Sequence, residues 1–207
     1  MSITAQITTQ MVSQFGEPRG AAGHLVGWIM GHRRSNVERS RWAVGLLGLG
    51  PGDRLLEVGC GPGVAIAAAV ARDAHVVGVD RSAVVIGQAR HRNRRAVRHG
   101  QVELHVAPVE QLPDLGAPFD AALAVNTVGF WSDPVTRLAA IGDRLRPGGI
   151  IAVVSQPRSP GATAEDTRAH GDHFVDLLGQ AGYQDMRSET LGLDPPVVCV
   201  LGRRPHA

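Results

Sequence analysis

Lysine does not occur in these 207 residues; all 21 basic residues are arginine. A phosphate-gripping G-x-x-x-x-G-K-[ST] loop therefore cannot exist here, and kinase or P-loop NTPase chemistry loses the lysine it depends on. Cysteine is nearly as scarce. Cys60 and Cys199 stand far apart in apolar stretches, a spacing that makes neither a disulfide framework nor a metal clip and that is expected of a reducing, cytoplasmic setting. No run of 18 uncharged apolar residues occurs, and the chain starts on polar MSITAQITTQ rather than on a basic segment leading into an apolar one. Neither a membrane span nor a secretory leader is expected. Nor is there much net charge: +2 is too little to argue by itself for a polyanionic partner.

What is present is enough apolar residue, 43%, to bury one sizeable core. Between positions 20 and 50, Leu25, Trp28, Ile29, Val37, Trp42, Val44 and Leu47 recur among polar residues, as one or two amphipathic helices would have them. GLGPGD (48–53) punctuates the chain, and a regular alternation follows. Strands are expected at Arg54–Val58, His75–Asp80, Val102–Ala107, Phe119–Asn126 and Gly149–Ser155, with helices at Val64–Arg72, Ser82–Val97, Pro134–Arg146 and Ala164–Ala181. Alternation of this kind builds βαβ units, hence a parallel sheet with helices on both faces that binds ligands at its carboxyl ends. Met186–Leu193 and Val197–Leu201 break the rhythm, because Asp194-Pro195-Pro196 leaves no room for a helix. Two strands so joined pair antiparallel. The expected architecture is a doubly wound, mostly parallel seven-stranded sheet with an antiparallel C-terminal strand, residues 48–207, preceded by an N-terminal helical cover, residues 1–47.

Glu57-Val58-Gly59-Cys60-Gly61-Pro62-Gly63 stands where the first strand gives way to its helix. Glycines there permit positive φ and let a ligand approach the backbone closely. Asp80 ends the next strand, 21 residues after Gly59, where a carboxylate can accept both hydroxyl hydrogens of a ribose. Each feature alone reads equally as a tight turn and a solvated acid; together, on adjacent strand ends, they mark a nucleoside site. A dinucleotide fingerprint reads G-x-G-x-x-G, whereas here the third glycine comes one residue early and Glu57 precedes the loop.

In that detail the chain resembles the class I S-adenosylmethionine-dependent methyltransferases, whose first motif has the form [ED]-x-G-x-G-x-G. The resemblance runs over about residues 50–202. Val79-Asp80-Arg81-Ser82, Ala107-Pro108-Val109-Glu110-Gln111-Leu112-Pro113, Phe119-Asp120 through Asn126, and Leu145-Arg146-Pro147-Gly148-Gly149 match the later motifs in order. It implies S-adenosylmethionine as cofactor and S-adenosylhomocysteine as product, with Glu57, Gly59, Cys60, Gly61, Gly63, Asp80, Arg81, Pro108, Val109 and Asn126 around them. Asp80 would take the ribose hydroxyls and Arg81 would pack on the adenine. Pro108 departs from the pattern, since relatives commonly place there an Asp that accepts from the adenine amino group.

The acceptor is expected to be a small molecule. The Arg81–His99 segment is rich in arginine, but cations near a helix C-terminus suit the macrodipole, and no interleaved aromatics offer stacking platforms for bases. Asn126-Thr127-Val128-Gly129 also lacks the Asn/Asp-Pro-Pro-aromatic sequence of enzymes that methylate base amino groups. No nucleic-acid or membrane partner is expected, and a homodimer is compatible with the sequence. His170 and His173 read as helix-surface residues rather than metal ligands, and Cys60 as a small packing residue. With no inserted lid, the acceptor pocket falls to Trp28, Met30, His32, Asn36 and Trp42 from the N-terminal cover, to Phe130 and Trp131, and to Gln156. His32 is the candidate general base, since histidine titrates near neutrality. Two rivals share the nucleoside site: a non-catalytic cofactor-binding or regulatory protein of the same fold, and an NAD-dependent oxidoreductase, against which the glycine spacing and Glu57 count.

Overall fold

The computed structural model describes residues 34–206. In chain order these form α1 (Arg34–Leu46), β1 (Arg54–Val58), α2 (Val64–Val70), β2 (His75–Asp80), α3 (Ala83–Arg92), α4 (Arg94–Arg98), β3 (Val102–Val106), β4 (Phe119–Val125), α5 (Pro134–Gly142), β5 (Leu145–Ser155), α6 (Ala164–Gln180), β6 (Gln184–Leu191) and β7 (Val197–Arg203). Single 3-10 turns at Val109–Gln111 and Val128–Phe130 follow β3 and β4.

The central strands are apolar almost without interruption because both of their faces are covered. Leu55 of β1, Leu123 of β4 and Val154 of β5 point to the face where Ala43 and Val44 of α1 and Ile66 of α2 pack. Leu56, Ala122 and Val153 point the other way, against Leu138 and Ile141 of α5 and Phe174, Leu177 and Leu178 of α6. All seven strands join one sheet in the order β3-β2-β1-β4-β5-β7-β6. The first five pair in parallel, while β7 slots between β5 and β6, antiparallel to both. The doubly wound sheet, its covered faces and the reversed strand beside β5 are those expected. Winding reverses between β1 and β4, and there the loops that leave the strand ends diverge and open a crevice.

Two helix boundaries differ from the sequence reading for tertiary reasons. The helix expected over Ser82–Val97 breaks at Asn93, because its buried side-chain amide donates to the carbonyls of Gly63 (3.1 Å) and Ala89 (3.0 Å). The helix expected to reach Arg146 ends at Gly142, since Leu145 already pairs with Phe119 as the start of β5. Its beginning follows local rules: Asp133 caps it by accepting from the Thr136 N–H, with Pro134 in the first turn. Trp42, expected in the acceptor pocket, instead packs half-buried against the hydrophobic core under α1. No helix among the described residues is long and apolar enough to cross a membrane.

Candidate functional site

A cavity of about 200 Å³ opens at the β1–β4 crevice. The glycine loop forms its floor, and each glycine there answers a different constraint. All three have positive φ: 74° at Gly59, 52° at Gly61 and 73° at Gly63. A Cβ on Gly59 would lie 2.3 Å from Thr127 Oγ1, and one on Gly63 would lie 2.6 Å from Asn93 Nδ2. These two let β4's exit and α3 approach the loop. A Cβ on Gly61 meets nothing within 4 Å, because that position faces the open cleft. The loop is tied down from α3 as well, where Arg92 Nε donates to the Pro62 carbonyl at 3.0 Å.

Alternation along β1 sends Glu57, the last residue but one of the strand, to the α1/α2 side, so it is buried at the head of the cleft. Its Oε2 has no hydrogen-bond partner among the described residues. Burial first, and then the charge of Asp80, push its carboxyl up to about 8, against which the Ile66 N–H pulls down. Asp80 lies at the end of β2, where Oδ2 accepts from the Gly61 N–H (3.0 Å) and Oδ1 from the Ser82 N–H (2.9 Å). Burial raises its pKa in spite of these two bonds. Asp80 therefore does more than wait for a ligand: it fixes the middle of the glycine loop.

Beyond β4, Asn126 adopts φ 53°. Its Oδ1 accepts from the Gln156 N–H at 2.7 Å, and its buried Nδ2 is unpartnered among the described residues. From α1, Asn36, Arg39 and Ser40 line the opposite wall. Arg39 is 4% exposed, donating to Gln156 Oε1 (2.6 Å) and Asn36 Oδ1 (2.8 Å) while its Nε finds no partner among the described residues. Unpartnered buried polar atoms are rare in folded proteins and call for an explanation. Here three of them, on Glu57, Asn126 and Arg39, belong to residues that line one cleft.

The structure brings Glu57, Gly59, Cys60, Gly61, Asp80, Arg81, Pro108, Val109 and Asn126 together around that cleft, with Asn36, Phe130 and Trp131. Gly63 stands directly behind, as the N-cap of α2. Gln156 does not line the cavity; its side chain bonds to Arg39 and to the Pro195 carbonyl. Trp28, Met30 and His32 lie outside the described residues. Sequence reading missed Arg39, Ser40, Thr127 and Arg158, all of which line the cleft. The first two were findable, because Asn36, Arg39 and Ser40 share one helical face at spacings of three and four. The exposed arginines of α3 and α4 are not among the lining residues. His170, for its part, shares a 2.8 Å hydrogen bond with Ser155 through Nδ1.

Comparison with known proteins places the same region in context. The profile of the family described as "Methyltransferase domain" matches residues 55–149. The uncharacterized methyltransferase YdaC of Bacillus subtilis is 29% identical over 87% of this chain and 98% of its own length. The 27-O-demethylrifamycin SV methyltransferase of Amycolatopsis mediterranei is 33% identical over 73% of this chain, which spans 57% of that longer protein. Among solved structures, the N-methyltransferase NodS of Bradyrhizobium japonicum with S-adenosyl-L-homocysteine superposes with a TM-score of 0.67 at 18% identity, covering 86% of this chain and 92% of NodS. At that identity the likeness is one of fold.

Proposed function

Because this chain belongs to the class I S-adenosylmethionine-dependent methyltransferases, we propose that the β1–β4 cleft transfers the cofactor's methyl group to a small molecule. The observation that carries the reading is Glu57, a buried carboxylate whose Oε2 is unpartnered among the described residues and which lines the cleft beside the glycine loop. A buried acid in that state is costly unless a cation or donor meets it, and the cofactor's amino-acid end carries an ammonium. Asp80 has lone pairs left for the ribose hydroxyls after accepting its two backbone N–H groups. Pro108 and Val109 give the adenine an apolar seat, and Glu110 is held at the rim by Ser132 at 2.9 Å.

When bound, the cofactor supplies an already activated methyl electrophile. The chain's own task is to hold the acceptor in line with it at roughly 3 to 3.5 Å and to keep water out. Phe130, 56% exposed, and half-buried Trp131 flank the mouth where an acceptor enters. Residues 1–47 as a cover, with Trp28 in the pocket wall and His32 as base, belong to this proposal. A relative named for acting on 27-O-demethylrifamycin SV supports a small-molecule acceptor. The buried free thiols of Cys60 and Cys199 are in keeping with a cytoplasmic setting.

Glu57 gives the proposal a pH signature. In the free protein its carboxyl keeps its proton up to about pH 8. An ammonium beside it favours the ionised form, so binding expels a proton and affinity rises with pH until about 8, then levels. Titration calorimetry with S-adenosylhomocysteine is expected to show binding about tenfold tighter at pH 8 than at pH 6. Glu57→Gln should bind weakly and without that slope; a flat profile in the unmodified protein would remove Glu57 from the ligand. Activity itself is tested by incubating the protein with S-adenosylmethionine and a metabolite panel and following S-adenosylhomocysteine by mass spectrometry. The expected result is S-adenosylhomocysteine formed together with a methylated product. Tight cofactor binding with no transfer to any acceptor would favour a non-catalytic binding protein instead.

A further inference from the structure

The cleft does not account for the arginine-rich segment behind the glycine loop. Six of the 21 arginines fall within positions 81–102, a stretch that holds no Asp or Glu. One long helix ending in cations would suit its macrodipole, but the break at Asn93 removes that explanation: Arg94 and Arg95 open α4, at the end of a helix where cations are unfavourable. Both are exposed, as are Arg90 and Arg98, and none of the four forms an ion pair among the described residues. The acids that flank the segment are engaged elsewhere, Asp80 with the Gly61 and Ser82 N–H groups and Glu103 with His105 at 2.8 Å. A concentrated positive surface is left without a counter-charge.

Within that surface an open groove of about 300 Å³ runs between α2 and the junction of α3 with α4. Its lining combines two chemistries: Ala67, Val70 and Ala96 are apolar, while Arg92, Arg94 and Arg95 are cationic. The junction is held in place, because Arg92 donates to the Pro62 carbonyl (3.0 Å) and Asn93 to the Gly63 carbonyl (3.1 Å). We propose that this groove docks a partner protein through a segment whose carboxylates flank an apolar side chain. The carboxylates meet the guanidinium groups of Arg94 and Arg95, and the apolar side chain covers Ala67 and Val70. A nucleic-acid backbone matches only half of this, since phosphates satisfy the charge and leave the apolar lining uncovered. Nor does the segment offer bases a stacking platform: the large apolar side chains that stand exposed among the described residues, Val106 and Phe130, belong to β3 and to the turn after β4.

The test uses the full chain and defined probes, followed by fluorescence anisotropy: a labelled peptide of Glu-Glu-Leu repeats, its counterparts with Gln for Glu and with Ser for Leu, and a DNA duplex of mixed sequence. The Glu-Glu-Leu peptide is expected to bind about tenfold more tightly than the Gln form and about threefold more tightly than the Ser form. Arg94→Glu combined with Arg95→Glu should lower its affinity by about tenfold. Ala67→Gln, which fills the groove without changing its charge, should erase the advantage of leucine over serine. All three substitutions fall at exposed positions, and circular dichroism checks that each variant folds. None of the three residues lines the cleft, so affinity for S-adenosylhomocysteine should stay within about twofold, and this inference and the methyltransferase reading can fail separately. Equal binding of the Glu and Gln peptides overturns the inference, as does undiminished peptide affinity in the folded double-arginine variant. A duplex that binds more tightly than the Glu-Glu-Leu peptide overturns it too, by making the surface one for nucleic acid.

Discussion

Gly61→Val is expected to raise the dissociation constant for S-adenosylhomocysteine by at least about a hundredfold while the chain still folds. Of the three loop glycines, Gly61 is the one whose added Cβ strikes no protein atom. The space it enters is the cleft itself, so the branched side chain competes with ligand rather than with the core. Folding pays only the left-handed backbone conformation, about 1 to 2 kcal/mol at φ 52°. Thermal unfolding should therefore fall by a few degrees and remain cooperative. Gly61→Asn separates bulk from strain, because asparagine tolerates the left-handed region; it too should lose binding. Normal affinity in both variants would mean that the loop is a turn and nothing more.

Asp80→Ala should weaken S-adenosylhomocysteine binding by about 2 kcal/mol or more, roughly thirtyfold. Two effects add. A charged acceptor for the ribose hydroxyls is lost, and the Gly61 and Ser82 N–H groups lose the oxygens that hold them at 3.0 and 2.9 Å. Asp80→Asn distinguishes the two, since its one carbonyl oxygen can keep the Gly61 bond while the charge disappears. Calorimetry on both variants is the check. Unchanged affinity in a folded Asp80→Ala protein would take the ribose away from this residue.

The ends of β1 and β2 were legible to the residue, because strands covered on both faces read as unbroken apolar runs, and GLGPGD and the glycine loop punctuate them. The carboxylates and glycines of the cleft were legible for the same reason: chemistry placed at strand ends has a fixed address in sequence. Asn93 was not, since nothing local says that its amide will reach the Gly63 carbonyl, 30 residues back. Arg39 was the larger miss. On a helix holding Arg34, Glu38 and Arg41, another arginine looks solvated, and its burial depends on Gln156, 117 residues away. Gln156 was placed at the correct strand end but given the wrong task, because an amide there can face either ligand or protein. Trp42 was read as pocket wall when it seals α1 onto the core, a choice that helical periodicity alone does not make.

The assignment of the β1–β4 cleft stands most directly on parallel calorimetric titrations of the full chain at pH 8 with S-adenosylhomocysteine and with NAD. One molecule of S-adenosylhomocysteine is expected to bind per chain, with release of about half a proton from Glu57, whose carboxyl is half-ionised at that pH in the free protein, and NAD is expected to give no saturable heat. Saturable binding of NAD together with none of S-adenosylhomocysteine would contradict the assignment outright.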